Sequence, residues 1–398
     1  MKKAYVILDG YYGQLEGRPA SNHLSYENFW VRYTRAFDRV TIITRVGKWQ
    51  VKGGNFIEGP GVEVIALPEI RKILPFLFYI PKLILLLSRL PRDASYILRS
   101  PGFIPSIAWF VLLARRIPFG VEMVGDPQDA LGKGSGTQPL RPLLNLFWTL
   151  TSKGQCLTAA ATAYVTKRAL QRRYPPTSGT PSFSYTSLDL HDADFAKTAR
   201  RVEDFDVSAP TFVNVAMMHQ NIKGQDVLLT AFAEIRRRGV DARLVLIGDG
   251  DNRLQFEQQA KALGVADSVR FTGLLPRGPA LYKELDEADL FVLPSRQEGL
   301  PRAMIEAMAR GLPCVASDVG GANELVPEEE LIAKGDAEGL ANQILRLLSD
   351  PEALATQSQR NFETAHDYHR DIVSEERRRF YATLLSLTEQ AGKNGSGG

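Results

Sequence analysis

Two carboxylates, Glu298 and Glu306, stand in the run Leu293-Pro-Ser-Arg-Gln-Glu298-Gly299-Leu300-Pro301-Arg302-Ala-Met-Ile-Glu306, which continues to Gly311-Leu-Pro-Cys314. A carboxylate accepts a pair of sugar hydroxyls well, because both can donate to it. The apolar residues 290–293 predict a buried strand, and proline favours the first position of a helix, so a helix is expected to open near Pro301. Glu298 then lies on the loop. Glu306 lies about five residues into the helix, roughly 7–8 Å along its axis. Such a pair marks the rim and wall of a crevice at the carboxyl end of a parallel strand, where open α/β sheets bind ligands. The amides of Gly299, Leu300 and the neighbours of Pro301, at a helix N-terminus, suit an anion or a polyhydroxyl ligand. Spacing alone leaves a plainer alternative open, with Glu298 as a helix-capping acid and Glu306 as a solvated helix residue. A second element, Ile222-Lys223-Gly224-Gln225-Asp226, follows the expected strand 211–216. A lysine in that loop can reach a phosphate held by helix N-termini, although most lysines are only surface charges.

The elements that would carry these residues are short apolar runs alternating with stretches of helix length. In the first half, 5–8, 40–44, 62–66, 96–98, 119–124 and 163–165 read as strands, with helices expected over 25–37 and 104–115. In the second half, strands are expected at 211–216, 243–247, 269–271, 290–293 and 314–316. Helices are expected at 225–238, 252–263, 279–287, 301–310, 337–349 and about 371–387. Continuous apolar strands separated by helices predict parallel sheets covered on both faces. The fold class is therefore α/β, with two tandem Rossmann-like, doubly wound domains facing a cleft. The N-terminal domain is expected over 1–190 and the C-terminal one over 205–398. A polar linker runs over about 189–210, and the last helix is a candidate to pack back on the first domain. The Gly- and Ser-rich tail 393–398 reads as flexible.

Composition narrows the function. The 398 residues are 44% hydrophobic and 23% charged, which excludes a wholly disordered chain and points to more than one core. Two distant cysteines, Cys156 and Cys314, read as buried thiols of a reducing cytoplasm. The N-terminal apolar run ends at Asp9, too short for an export signal. The net charge of +3 divides into +12 over 1–190 and −9 over 191–398, so the first half is expected to face something anionic. Residues 70–116 hold eight Lys/Arg and one acid, Asp93, around the nearly all-apolar stretch 73–87. That stretch is too short to span a bilayer, which needs about 20 apolar residues. It suits a helix lying on an anionic membrane surface or, alternatively, a buried helix with a basic rim. No aromatic-plus-basic strand pattern accompanies the charge, so nucleic acid is not expected as a partner. His23, His191, His366 and His369 show no metal-ligand partner spacing and read as ordinary polar residues.

Glu298 and Glu306 followed by Gly311-Leu-Pro resemble the signature of the retaining GT-B-fold glycosyltransferases of the group-1 family (glycosyltransferase family 4). Lys223-Gly224, Gly248-Asp-Gly250, Val269-Arg-Phe-Thr-Gly273, Leu293-Pro-Ser295 and Ser317-Asp-Val-Gly-Gly-Ala-Asn-Glu324 agree with it over about 211–335. The resemblance implies transfer of a sugar, with retention and without a metal or other cofactor. The donor would be a nucleotide sugar such as a UDP- or GDP-sugar, and the acceptor a glycan or a lipid-linked glycan in cell-surface polysaccharide synthesis. Glu306 would bind the ribose hydroxyls. Glu298, Gly299, Leu300 and Pro301 would face the donor sugar, and Lys223 the pyrophosphate. Base contacts would come from 271–275, Gly273 and Leu274 among them. Such a reaction leaves a nucleoside diphosphate of growing negative charge and an oxocarbenium-like sugar, which cations and a carboxylate respectively stabilise.

Two departures stand out. The family usually has an arginine five or six residues before the lysine. Met217 and Met218 stand there instead, with His219 and Gln220 behind them, so Arg277, Arg296 or Arg302 would have to supply the charge. The usual first-domain histidine is also missing. Asp126 is the nearest acidic substitute as an acceptor-contacting base, or else simply forms an Asp-Pro turn. The loop expected at Gly10-Tyr11-Tyr12-Gly13 could turn its amides, Gly13 included, toward the donor phosphate or the acceptor. A nucleotide-sugar epimerase of the same architecture and a non-catalytic sugar-nucleotide binder remain alternatives. A dinucleotide oxidoreductase is disfavoured, because position 253 is Arg where a third glycine would be needed.

Overall fold

In the computed structural model, residues 1–22, 24–130, 141–219 and 221–395 are described. His23 and Gln220 of the sequence reading lie outside them, as do residues 396–398 of the tail. The chain divides into two compact units. One holds Met1–Gln128, the stretch ending at Ser187 and the C-terminal helix from Ser374; the other is Leu188–Val373.

The first unit is built on strands β1 (Lys3–Leu15), β2 (Arg18–Ser21), β3 (Arg39–Gln50), β4 (Asn55–Phe56), β5 (Val62–Pro68), β6 (Ser95–Ser100), β7 (Phe119–Met123), β8 (Ala161–Tyr164) and β9 (Ser182–Ser184). Its parallel sheet has the order β5-β3-β1-β6-β7-β8-β9, and β2 and β4 extend it antiparallel beyond the end of β1. Val6, Ile7, Ile42, Ile43, Ile97 and Leu98 are all fully buried, the mark of strands covered on both faces. Helices α1 (Ile73–Ser88), α2 (Phe103–Ala114), the single turn α3 (Pro127–Ala130), α4 (Arg141–Thr158) and α5 (Ala169–Arg173) connect the strands.

The second unit has β10 (Thr211–Val215), α6 (Gln225–Arg237), β11 (Arg243–Ile247), α7 (Arg253–Ala262), β12 (Val269–Gly273), α8 (Pro279–Asp286), β13 (Leu290–Leu293), α9 (Arg302–Ala309), β14 (Cys314–Ser317), β15 (Leu331–Ile332), α10 (Ala337–Leu348) and α11 (Pro351–His366). Its parallel sheet runs β12-β11-β10-β13-β14-β15. Counted from the first strand of the unit, that is 3-2-1-4-5-6, the Rossmann order. One core gathers Phe212, Leu244 and Leu246 of the sheet with Phe232, Leu340 and Ile344 of the helices. A last helix, α12 (Arg370–Gly395), follows. From Ser374 onward it belongs to the first unit, where Phe380 and Leu384 pack over Gly120 of β7 and Ser95 meets Thr388 at 3.1 Å.

The α/β reading thus stands, with two parallel-sheet units, but several local expectations are corrected. No α-helix spans 25–37. That segment forms turns and a 3-10 stretch, Trp30–Arg35. Side chains compete for its backbone: Asn28 Oδ1 accepts from the Ser25 amide, and the Trp30 indole donates to the Leu24 carbonyl at 2.8 Å. Residues 10–13 are not a loop. β1 continues through Leu15, and Gly13 pairs with Ala20 across a hairpin. A Cβ at Gly13 would stand 2.7 Å from Trp49, so that glycine serves close packing. The polar stretch 189–210 does not hang free. Ala196 donates to Ala309, and the Arg200 guanidinium donates to the carbonyls of Leu285, Asp286 and Ala288. Helices α4, α5 and α11 and strands β2, β4, β9 and β15 match no expectation from the sequence. Both cysteines are free and buried, and burial pushes the Cys156 thiol up to about 12. Among the described residues, no helix is long and apolar enough to cross a membrane.

Candidate functional site

In the second unit the strand order reverses between β10 and β13. Chains leaving adjacent strands there turn to opposite faces, which opens a crevice beyond their carboxyl ends. The loop after β10 brings Lys223, on a 3-10 turn of Asn221–Lys223, and the loop after β13 brings Glu298. The two meet: Lys223 Nζ lies 2.7 Å from Glu298 Oε1, which also accepts from the Ser295 hydroxyl at 2.7 Å. Glu298 is buried, whereas about a third of the Lys223 side chain reaches solvent. Its ammonium is thus anchored at one edge and open at the other.

The backbone makes this meeting obligatory. Gly224 has φ +73°, and a Cβ there would lie 1.9 Å from the Pro294 carbonyl oxygen, so only glycine lets the two loops touch. Gly320 plays the same part behind Glu298, with φ +54° and a would-be Cβ 2.1 Å from the Glu298 carbonyl oxygen. Arg296 stitches the loops further. Its guanidinium grips both oxygens of Asp226 at 2.6 and 2.7 Å and donates to the Asn221 carbonyl, while its amide donates to Ile222. Helices α6 and α9 both point their N-termini at this place, and neither has a side-chain cap: Gly224 caps the first and Pro301 the second. Their first amides are the kind of donor an anion takes.

Glu306 lies inward on α9. Burial raises its carboxyl above the ordinary carboxylate range, against the pull of Arg277 and Arg302. Arg277 Nε is 3.6 Å from Glu306, and the same guanidinium pairs with Asp194, which also takes the Tyr282 hydroxyl. Glu306 and Glu298 therefore belong to two separate sets of contacts, both formed where β13 gives way to α9. Gly299 accepts from the Gly321 amide at 2.7 Å, Leu300 is buried, and Pro301 stands just before the first helical residue rather than on it. Gly273, at φ +79°, ends β12 with its carbonyl taken by Gly248, and Leu274 beside it is 63% exposed.

The missing arginine has a physical reason. Met218 is fully buried in the core of this unit. Its amide donates to Asp249 and its carbonyl accepts from Asn252, so its segment runs against Gly248-Asp249-Gly250. Cβ atoms at Gly248 and Gly250 would fall 2.0 and 2.4 Å from the backbone of Ala216 and Met218. Of the three candidate replacements, Arg296 is committed to Asp226, and Arg277 lies beside Glu306. Asp126, in the first unit, is not open for chemistry. It accepts from the Gln128 amide at 2.9 Å and the Tyr174 hydroxyl at 2.7 Å, and it pairs with Arg173, the pattern of a turn-forming residue. Among the described residues, no three His, Cys, Asp or Glu gather as a metal would require.

Glu306 and Arg277 are singled out by the sequence, but Asp194, which joins Arg277 here, is not, because it is far from both in sequence and follows no spacing rule. Residues 209–350 match the family described as glycosyl transferases group 1. That group 1 segment covers less than half of the chain. Beyond it, the chain is 26% identical to protein CapJ of Staphylococcus aureus over 323 residues, 80% of this chain and 79% of CapJ. It is 32% identical to the N-acetyl-alpha-D-glucosaminyl L-malate synthase of Bacillus anthracis over 193 residues, about half of each protein (47% and 48%). Anabaena HepE, solved in complex with UDP and glucose, is similar in fold over the whole of both chains, with a TM-score of 0.60 at 16% identity. The architecture is that of the GT-B glycosyltransferases.

Proposed function

We propose that this protein is a retaining glycosyltransferase that moves a sugar from a nucleoside-diphosphate sugar to a glycan or lipid-linked glycan, in the cytoplasm, for cell-surface polysaccharide. The observation that carries the proposal is the Lys223–Glu298 pair at the switch point of the second unit, between two uncapped helix N-termini. In this reading the diphosphate lies across the N-termini of α6 and α9. Lys223 and those amides neutralise the charge that grows on the phosphate oxygen as the sugar–phosphate bond breaks. Glu298 holds the lysine in place and turns its second oxygen and the Gly299 amide toward the sugar, whose anomeric carbon becomes positive as the bond lengthens. The acceptor hydroxyl attacks that carbon from the face the diphosphate leaves and gives its proton to the departing phosphate oxygen, so the C–O bond to phosphate breaks as the new glycosidic bond forms and the nucleoside diphosphate departs.

Glu306 binds the ribose hydroxyls. Its raised affinity for protons follows from being largely withdrawn from water, which is also what makes two donated hydroxyls welcome there. Arg277, already beside Glu306, supplies cationic charge on this side, and Leu274 with Gly273 edges the base. The chain's own cations do the work of a metal in this account, and Asp126 is assigned no step. HepE's complex with UDP supports a uridine donor, and the match to group 1 enzymes supports transfer over epimerisation.

A thermal-shift panel of UDP-, GDP- and ADP-sugars tests the reading. A donor at about a hundred times its Kd stabilises the native state by roughly 2.7 kcal/mol. One base class should therefore raise Tm by several degrees, and the stabilising donor should be consumed only when an acceptor is added. Consumption to an epimer without acceptor, or no shift with any of them, would refute it.

A further inference from the structure

Helices α1, α2 and α4 of the first unit lie side by side. Phe103 of α2 packs its ring against Phe76 of α1 and against Phe147 and Trp148 of α4. Trp109 of α2 fills the space over Gly154 of α4 and donates to Thr158, while Arg115 donates to the carbonyls of Leu87 and Leu90 at the end of α1. In a soluble protein the outward stripe of such a layer is polar. Here it is not. On α1 the inward stripe is Phe76, Leu83 and Leu87, and the opposite stripe, Leu74, Leu77, Phe78 and Leu85, is exposed, with Phe78 at 80%. α2 adds exposed Phe110, and α4 adds Leu143, Leu146 and Leu150 at i, i+3 and i+7. Isolated exposed apolar residues are normal, but stripes on two helices, with exposed Phe110 on the helix packed against both, mark an interaction surface.

The charges around it say what it meets. None of the three helices contains an acidic residue. Lys72, Lys82, Arg89, Arg116 and Lys153 are exposed in or beside them, whereas of the acids flanking α1, Glu69 is paired with Arg71 before the helix begins and Asp93 lies beyond its end. A second copy docked by the same face would bring this basic rim against itself. An anionic lipid surface satisfies both features, with apolar side chains in the acyl boundary and lysines and arginines among the headgroups. α1 has 16 residues and cannot span. We propose that the α1–α2–α4 face is a docking surface for an anionic bilayer, with Leu77, Phe78, Leu146 and Leu150 inserted and Lys82 and Lys153 at headgroup level. This surface belongs to the first unit alone and does not rest on the transfer chemistry proposed for the second.

Flotation of the full chain tests it, using vesicles of phosphatidylglycerol in phosphatidylcholine against vesicles of phosphatidylcholine alone. The protein is expected to float with the first and not the second, and to be released by salt. Phe78→Ser and Leu146→Ser, each at an exposed position, should weaken binding about tenfold. Lys82→Glu should weaken it at least about fivefold. Leu254→Ser, at an equally exposed leucine of α7 in the other unit, should change nothing. Unaltered melting curves would show that the variants fold. Failure to float with phosphatidylglycerol, flotation of the variants like the parent, or a dimer in solution that Phe78→Ser dissolves would each overturn the proposal.

Discussion

The two units share a topology and use it differently. In both, the first strand of the sheet lies beside the fourth, and the order reverses there. In the first unit, at the β1/β6 reversal, the place an anion would take is filled by the chain itself. Asp9 accepts from the Phe103 amide at the start of α2 at 2.7 Å, and Arg45 lies 2.9 Å from its other oxygen. Burial pushes the Asp9 carboxyl up, against the pull of Arg45 and the amides of Phe103 and Ile104. In the second unit, at the β10/β13 reversal, two helix N-termini are left without a side-chain cap, and Lys223, about a third exposed, stands beside them. A topology offers a site; one carboxylate decides whether it is structural or available to a ligand.

The first unit can be unplugged at Asp9. Asp9→Ala leaves Arg45, whose side chain is 3% exposed, without its partner. The expected loss is about 3–5 kcal/mol of stability, read from urea midpoints. A variant as stable as the parent would show that Asp9 is not a structural plug.

In the second unit the corresponding change, Lys223→Ala, should act on chemistry instead. Turnover should fall about 10²–10³-fold, the usual effect of removing one preorganised group that stabilises transition-state charge, while the circular dichroism melt changes little. Turnover near that of the parent would remove the lysine from the reaction.

Gly224→Ala sharpens the point by moving the loop and not the charge. Its Cβ would meet the Pro294 carbonyl in a left-handed backbone, so a loss of about 1–3 kcal/mol is expected together with lower turnover.

The smallest effect is on pH. The native carboxyl of Glu306 is raised by burial, so its ionised form is disfavoured in the fold. That penalty is absent at pH below the ordinary carboxylate range, grows as pH rises to the raised value, and is complete above it. Glu306→Gln should therefore raise Tm at neutral pH, lose that advantage in acid, and weaken donor binding. An unchanged difference in Tm across pH would contradict the assignment of burial as the cause.

Much of the second unit was legible because its signals are local. Strand 243–247, for instance, is bounded by charged and glycine residues that coincide with Arg243–Ile247. The Glu298 loop and the Pro301 helix start follow equally local rules. The substitution of Met218 was visible as a departure, but its burial was not, because the reason lies in the Gly248 and Gly250 loop packed against it. Asp194 was out of reach, being 83 residues from Arg277 and within a stretch that reads as linker. The first unit was harder for a related reason. The 25–37 segment has helical length and apolar spacing, yet Trp30 and Tyr33 are buried by tertiary contacts that outweigh local propensity. The apolar outward stripe of α1 is the converse case, since periodicity cannot tell a helix buried all round from one with an oily exposed face.

In the proposed function the switch point of the second unit grips a diphosphate through Lys223. Calorimetric binding of UDP against UMP, and of GDP against GMP, to the parent and to Lys223→Ala tests it most directly. The account predicts that one diphosphate binds the parent at least about tenfold more tightly than its monophosphate, and that this preference shrinks to near unity in the variant. Equal affinity of the parent for diphosphate and monophosphate, or a preference that survives the loss of the lysine, would contradict it.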